Sequence, residues 1–308
     1  MKKVLIIGGA GFVGGYLSEI LIENGFEVHS TCLPDEKIKN PECKAHNLDI
    51  LDKNQISAVL DEVKPDVIYH LAAQSSVALS WKNPQLTVDI NIKGTLNVLD
   101  SLRDSGLDSR IILIGSGEEY GYIKHCPVSE EETLRPGNIY AATKACQSMI
   151  GNIYARAYKM DIVMVRAFNH IGAGQLPQFV VSDFCKQVAE IEKGIKAPEM
   201  RVGNLDARRD FTDVRDVVRA YMLLGEKGKS GELYNVGSGK AMAIREILDI
   251  IISQSTEDIK ITVDPERLRP SDIPVIEADI SRITADTGWK PEIPIEETIK
   301  NTLDYWRR

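Results

Sequence analysis

Tyr140 and Lys144, in the segment YAATK, are the residues whose types and spacing point most directly to chemistry. They stand four apart in a predicted helix, so their side chains share one face of it. A lysine ammonium beside a phenol favours the phenolate and lowers the phenol pKa from about 10 toward neutrality. Such a tyrosine can act as a general acid or base on a carbonyl/alcohol pair. Ser116 follows a predicted strand at the same sheet edge and could hydrogen-bond the same oxygen.

Two glutamates follow Ser116 in the segment SGEEY. Glu118 could be a base that takes a proton from carbon, or a polar residue that only lines the site. We interpret Glu119 as a solvated neighbour. The two interpretations of Glu118 correspond to two different enzymes, so the choice between them depends on the rest of the chain.

A glycine-rich segment, GGAGFVG, follows the first predicted strand and opens the first predicted helix. In this context glycine lets the backbone approach a pyrophosphate, and the helix N-terminus supplies N–H groups. We therefore predict a dinucleotide-binding loop and not merely a tight turn. Asp49 and the segment LAAQS are expected at the same sheet edge. The predicted cofactor-binding residues are Gly8, Gly11, Phe12, Val13, Gly14, Asp49, Ile50, Leu71, Ala72, Ala73, Tyr140 and Lys144.

The end of the second predicted strand bears on the choice of cofactor. It reads Ser30, Thr31, Cys32, where an acidic residue would accept hydrogen bonds from the adenosine ribose. No arginine stands there for a 2′-phosphate either. Because no acidic residue repels that phosphate, the sequence slightly favours NADP(H) and leaves NAD(H) open.

These residues must be positioned by strands and helices that alternate along the first half of the chain. Apolar runs predict strands over 4–7, 27–32, 66–71, 110–114 and 161–165, and helices over 12–23, 84–105 and 138–158. This alternation predicts an α/β fold, with a doubly wound parallel sheet of the Rossmann type. We predict a dinucleotide-binding domain over 1–168, with returns near 210–238 and 274–283. The remainder, 169–308, is expected to be a smaller, less regular substrate domain.

Composition excludes several classes of protein. The chain has 308 residues, 43% hydrophobic and 27% charged, which is typical of a globular protein. A net charge of −8 argues against nucleic-acid binding, and the absence of a long apolar run argues against a membrane protein. We expect a cytoplasmic location. The five cysteines and five histidines show no zinc spacing, so no metal site is predicted.

The order of these motifs resembles the extended short-chain dehydrogenase/reductase family that acts on nucleotide sugars. The resemblance covers essentially the whole chain and rests on GGAGFVGG, LAAQSSV, NIKGTLNVLD, SGEEYG, YAATK, RAFNHIG, GNLDARRDFTDVRDV, YNVGSG and RPSDIP. It implies an N-terminal Rossmann domain, a C-terminal domain that holds the nucleotide sugar, and a homodimer built through a helix bundle.

The resemblance also implies a set of substrate contacts. It matches Asn169 to an asparagine that contacts the sugar nucleotide, and Arg209 and Arg269 to arginines that bind the diphosphate, a role that suits the guanidinium fork. Gln74 and Ser75 complete the predicted substrate-binding set. Asp213 and Asp216 are expected to be structural. The segment GNLDARRDF resembles members that handle GDP-linked sugars, so the expected substrate is a GDP-linked deoxyhexose.

Two reactions fit the resemblance. Glu118 stands where the GDP-mannose 4,6-dehydratases keep the base that removes the C5 proton. The chain lacks their arginine-rich segment after the second strand, however, and RPSDIPVIEAD resembles the sister GDP-6-deoxy-4-ketohexose reductases. The favoured expectation is reduction of the C4 keto group of GDP-4-keto-6-deoxymannose to GDP-D-rhamnose, with Ser116, Tyr140 and Lys144 as the catalytic set. A non-catalytic dinucleotide-binding regulator is a third hypothesis, which the presence of that set disfavours.

Overall fold

The computed structural model describes residues 2–267 and 274–308. The strands, in chain order, are β1 Lys3–Ile7, β2 Glu27–Cys32, β3 Lys44–Asn47, β4 Val67–His70, β5 Arg110–Ser116, β6 Ile162–Ala167, β7 Asn169–Ile171, β8 Glu199–Val202, β9 Arg208–Asp213, β10 Leu233–Val236, β11 Ala241–Ala243, β12 Lys260–Val263 and β13 Val275–Ile276. The α-helices are α1 Phe12–Glu23, α2 Lys53–Val63, α3 Val77–Lys82, α4 Pro84–Val88, α5 Thr95–Ser105, α6 Ile139–Tyr158, α7 Val180–Glu192, α8 Val214–Lys227, α9 Ile244–Ser253, α10 Ser281–Thr287 and α11 Ile295–Arg307.

A seven-stranded sheet forms the centre of the first region, with the order β10-β6-β5-β4-β1-β2-β3. Every neighbouring pair in it is parallel. Successive residues of a strand point to opposite faces, so Val4 and Ile6 pack with α1 and α8 while Leu5 and Ile7 pack with α2 and α5. Burial on both faces explains why these strands are almost continuously apolar. The doubly wound Rossmann fold is confirmed.

The second region contains a smaller sheet and its own core. Strands β11, β9 and β13 lie side by side, β7 pairs with β9, and β8 pairs with β12. Helices α7, α9 and α11 cover a separate apolar cluster that includes Phe184, Met200 and Ile247. Strand β10 returns to the large sheet, where it pairs with β6.

The helix predicted over 84–105 is interrupted. Between α4 and α5 lies a π-helical turn, Asp89–Gly94. At its end, a Cβ on Gly94 would collide with the side chain of Ile50, and within it the buried Asn91 points away from solvent. Apolar periodicity predicted the helix but not the interruption, because the π-turn packs against Ile50 and Gln74, which lie outside the helix.

Among the described residues, no helix is both long enough and apolar enough to cross a membrane.

Candidate active site

The glycine loop is built by close backbone packing. Gly8 has a φ of +89°, and a Cβ there would lie 2.7 Å from the amide nitrogen of Ala72. A Cβ on Gly14 would lie 2.5 Å from the carbonyl oxygen of Gly9. These two glycines are therefore required by the fold of the loop itself. The contact at Gly8 also shows that the segment after β4 lies against the loop, as predicted.

Gly11 is different, because the protein alone does not require a glycine there. A Cβ added to Gly11 would have the carbonyl oxygen of Gly8 as its nearest neighbour, at 3.5 Å, which is an ordinary van der Waals distance. The residue itself is exposed. It is the N-cap of α1 and has no side chain to cap the first helical N–H groups. An exposed glycine before uncapped donors fits the diphosphate of a dinucleotide, since it leaves both space and N–H groups for the phosphate oxygens.

The end of β2 holds the loop in place. The amide of Gly8 donates to Thr31 Oγ1 at 3.1 Å, and the amide of Gly9 donates to the Thr31 carbonyl at 2.8 Å. Asp49, after β3, accepts the Leu51 amide at 2.9 Å. Thr31 thus anchors the loop, and one carboxylate oxygen of Asp49 is engaged by its own turn.

Phe12 connects the glycine loop to the second region. Its ring stacks on that of His170 with the centroids 6.3 Å apart and the planes 8° apart. It also contacts Tyr16 edge to face. The first turn of α1 and the start of β7 therefore lie together at the carboxyl edge of the large sheet.

Ser116, Tyr140 and Lys144 come together as the sequence predicts. Ser116 ends β5, and the other two lie in the first turns of α6, which begins at its N-cap Asn138. The Tyr140 phenol lies beside the Ser116 side chain, which acts to lower its pKa. The Lys144 ammonium donates to the Ile114 carbonyl at 2.7 Å and to Gln147 Oε1 at 3.0 Å.

The ionisation of this set differs from the sequence expectation. Burial raises the pKa of Tyr140, and the neighbouring Ser116 side chain offsets this only in part. Burial also lowers the pKa of Lys144 to about 8. In this structure the lysine does not bring the phenol toward neutrality, because the loss of water around the phenolate outweighs other effects. Tyr140 is therefore a protonated phenol at neutral pH, suited to donating a proton.

Glu118 is half-buried and hydrogen-bonded to the N-cap of α6. Its Oε2 accepts a hydrogen bond from Asn138 Nδ2 at 3.2 Å, while Asn138 Oδ1 caps the helix by accepting the amide of Ala141 at 2.8 Å. Its own amide donates to Ser116 Oγ at 3.2 Å. Glu118 thus lies beside the Ser116–Tyr140 pair with one oxygen in use.

The interpretation of Glu119 as a solvated neighbour is wrong. Its side chain is fully buried, and Oε2 accepts from Arg166 Nε at 2.8 Å and from Ser148 Oγ at 2.8 Å. The sequence misleads here because two adjacent glutamates after a strand look alike. A short 3₁₀ turn, 117–120, directs one toward the site and the other into the protein.

Asn91 is a site residue to which the sequence analysis assigned no role. It lies in the π-helical turn, and its side chain joins the Gln74 backbone to Thr143, accepting from the Gln74 amide at 2.8 Å and donating to Thr143 Oγ1 at 3.0 Å. Thr143 lies between Tyr140 and Lys144 in α6. The segment NIKGTLNVLD contains Asn91. Its only indication in the sequence is a polar side chain within a predicted apolar helix.

The predicted substrate residues lie in several elements around this edge. Gln74 is buried, and its side chain amide donates to Thr87 Oγ1 at 2.8 Å, whereas Ser75 beside it is exposed. Asn169 is in β7 and pairs with Phe211 of β9.

The structure describes only one of the two arginines that are predicted to bind the diphosphate. Arg209 is also in β9, is 8% exposed and donates to the Arg208 carbonyl at 2.9 Å. Arg269 lies outside the described residues.

The structural roles predicted for two aspartates are confirmed. Asp213 accepts from Thr298 Oγ1 at 2.7 Å and from Arg215, and Asp216 accepts the amides of Glu292 and Ile293, both at 2.9 Å. Both therefore connect α8 to the C-terminal segment.

Comparison with known proteins defines the class. The model of the GDP-mannose 4,6-dehydratase family matches residues 5–302. A GDP-6-deoxy-D-mannose reductase of Pseudomonas aeruginosa is 32% identical over 307 residues, which is 99% of this chain and 97% of that protein. The structure of RMD from Pseudomonas aeruginosa complexed with NADPH has a TM-score of 0.90 at 30% identity, covering 100% of this chain and 99% of that one. That of a Thermus thermophilus UDP-glucose 4-epimerase with NAD has a TM-score of 0.89 at 29% identity, covering 99% of each chain.

Fold, site and comparisons together define an enzyme of the extended short-chain dehydrogenase/reductase class. The chain belongs to the GDP-mannose 4,6-dehydratase family.

Proposed function

We propose that the protein reduces the C4 keto group of GDP-4-keto-6-deoxymannose to GDP-D-rhamnose with NAD(P)H. The observation that carries this proposal is the buried, protonated Tyr140 beside Ser116, which is the state a proton donor needs. The full-length similarity to the Pseudomonas aeruginosa GDP-6-deoxy-D-mannose reductase supports the choice of substrate.

Each residue of the set then has one task. When bound, the reduced nicotinamide supplies a hydride to C4. Tyr140 donates its proton to the C4 oxygen, so that the carbonyl becomes an alcohol. Ser116 hydrogen-bonds the same oxygen and polarises the carbonyl. Lys144, still protonated at neutral pH with a pKa of about 8, stabilises the phenolate that Tyr140 leaves behind.

We propose NADP(H) as the preferred cofactor, with NAD(H) as the alternative. The end of β2, Ser30 to Cys32, carries no acidic side chain that would repel a 2′-phosphate. The similar RMD structure contains NADPH, and the similar epimerase structure contains NAD. Comparing KM for NADPH and NADH in the same assay tests this preference.

We propose the same substrate contacts that the sequence predicts. Arg209 and Arg269 would bind the diphosphate, and Asn169 with Gln74 and Ser75 would contact the remainder of the nucleotide sugar. Asn169 and Arg209 are compatible with this, because β7 and β9 are adjacent and Phe12 stacks on His170 beside them.

A homodimer through a helix bundle is also proposed. Helix α6 exposes Met149 and Ile153, 53% and 59% exposed, and Trp81 of α3 is 59% exposed. Residues four apart on a helix share a face, so Met149 and Ile153 form an apolar strip. Sedimentation of the wild type and of Ile153→Asp tests this: the wild type should be a dimer and the variant a monomer.

The direct test of the reaction follows NADPH absorbance after addition of GDP-4-keto-6-deoxymannose and identifies the product. Consumption with formation of GDP-D-rhamnose is expected. Folded protein that consumes neither NADPH nor NADH would overturn the proposal.

A 4,6-dehydratase with Glu118 as the C5 base is the second candidate. It is favoured by the position of Glu118 beside the Ser116–Tyr140 pair and by the matched family. It predicts conversion of GDP-mannose to the keto sugar without added reductant, and loss of that conversion in Glu118→Gln.

A further inference from the structure

A buried ion pair lies directly beneath the proposed catalytic serine. Glu119 is 0% exposed and Arg166, in the neighbouring strand β6, is 5% exposed. Arg166 Nε donates to Glu119 Oε2 at 2.8 Å, and its guanidinium lies 4.6 Å from the centre of the Tyr120 ring. The proposed reaction uses neither charge.

The carboxylate of Glu119 joins the three elements that make the site. Oε1 accepts the backbone amide of Ser116 at 2.9 Å, at the end of β5. Oε2 accepts Ser148 Oγ, and Ser148 lies in α6 one turn beyond Lys144, on the face that also carries Tyr140. With Arg166 of β6, the contacts fix the relative positions of the serine and of the helix that carries the tyrosine.

An apolar side chain could fill the volume of Glu119 but could not accept these hydrogen bonds. Buried ion pairs are often replaced by apolar residues without loss of stability, because burial of two charges costs nearly as much as their attraction returns. An apolar residue at 119 would leave the Ser116 amide and the Ser148 hydroxyl without their acceptor. Burial raises the pKa of Glu119 while Arg166 opposes this, so Arg166 helps to keep the acceptor ionised.

Gly115 supports the same geometry. A Cβ at this position would collide with Glu119 Oε1 and lie 2.6 Å from the Val165 carbonyl. The chain thus has a glycine where the carboxylate must pass close to the backbone of β5.

We propose that Glu119 is a positioning residue that, held by Arg166, fixes the Ser116 hydroxyl against Tyr140 for proton transfer. The inference rests on the proposed function for its kinetic readout, but its geometric part does not depend on the identity of the substrate. Arg166 acts through Glu119 and needs no contact with substrate.

The test compares Glu119→Leu with the double variant Glu119→Leu/Arg166→Met. The single variant leaves a buried arginine without its anion, so it loses both stability and kcat. The double variant removes both charges and should be more thermally stable than the single variant, yet kcat should stay about 10–100-fold below the wild type because Ser116 remains misplaced. KM for the cofactor should be unchanged in both.

Asp216→Asn is the matched control, because Asp216 is an equally buried carboxylate paired with Arg219 at 2.7 Å outside the site. It should lose stability and keep kcat. Recovery of kcat together with stability in the double variant would overturn the inference, since Glu119 would then be structural only.

A crystal structure of the double variant separates the failure of this inference from failure of the proposed function. The inference predicts that the Ser116 hydroxyl no longer contacts Tyr140, whatever the substrate proves to be. An unchanged Ser116–Tyr140 contact contradicts it, even if the wild type reduces the keto sugar. Inactive wild-type protein with a displaced Ser116 in the variant would overturn the reaction alone.

Discussion

The carboxyl edge of the large sheet and the second region hold their charged groups in different ways. At the edge, Lys144 is 3% exposed and donates to a main-chain carbonyl and an amide oxygen, which are neutral acceptors. In the second region, the buried Asp213 at the end of β9 is paired with Arg215. Lys144 thus keeps a perturbed pKa where chemistry is expected, whereas Asp213 is neutralised by an arginine where two segments are joined.

The largest expected effect comes from Tyr140→Phe. Removing the proton donor should lower kcat for the keto sugar by about 10²–10⁴-fold, the range for loss of a general acid. Binding of NADPH, measured by fluorescence titration, should change little. A near-normal kcat in this variant would mean that Tyr140 is not the proton donor, and it would revive the hypothesis of a non-catalytic regulator.

The next largest effects should differ between two glycines of the glycine loop. In Gly11→Ala the added methyl meets only the Gly8 carbonyl oxygen, at an ordinary 3.5 Å, so thermal stability should hold while KM for NADPH rises. In Gly14→Ala it meets the Gly9 carbonyl at 2.5 Å, so the melting temperature should fall. Measuring both quantities for both variants checks the distinction. Equal stability losses would mean that Gly11, like Gly14, is needed only for packing.

Arg209→Met tests whether the second region contributes to binding. Loss of a charged hydrogen bond to the diphosphate should raise KM for the nucleotide sugar by about tenfold or more, with kcat retained. Arg201→Met, at an exposed arginine of β8, is the control and should leave KM unchanged. An unaltered KM in Arg209→Met would leave Arg209 with a structural role only.

The smallest expected effect concerns pH and stability. Burial lowers the pKa of Lys144 from 10.5 to about 8, so between these values the unfolded chain binds more protons than the folded one. Stability should therefore rise with pH across this window. Lys144→Met should lack this contribution, so the gap in melting temperature between variant and wild type should change from pH 7.5 to pH 10. A constant gap would mean that Lys144 keeps an ordinary pKa.

Most of the edge could be predicted from the sequence because its signals are local. The glycine spacing, the strand before it and the Tyr140–Lys144 spacing each lie within one or two elements, and α1 and β2 have the predicted bounds. The direction of the Tyr140 pKa was not predictable, because spacing reveals a charged neighbour but not the loss of water around the phenol.

The missed features depend on contacts between distant segments. Glu119 is buried because β6 supplies Arg166, 47 residues later, and α6 supplies Ser148. The π-helical turn follows from the fit of Gly94 against Ile50 and of Asn91 against Gln74. No local pattern reports such pairings. In the second region, Asn169 and Arg209 were assigned only by resemblance, and their roles remain proposals.

The most direct test of the proposed reaction is a pair of incubations of purified protein, with the sugars identified afterwards. One contains GDP-4-keto-6-deoxymannose with NADPH, and the other contains GDP-mannose without reductant. We predict GDP-D-rhamnose and NADPH consumption in the first, and unchanged GDP-mannose in the second. Conversion of GDP-mannose to its keto sugar, with no NADPH consumption in the first incubation, would contradict the reductase and favour the dehydratase.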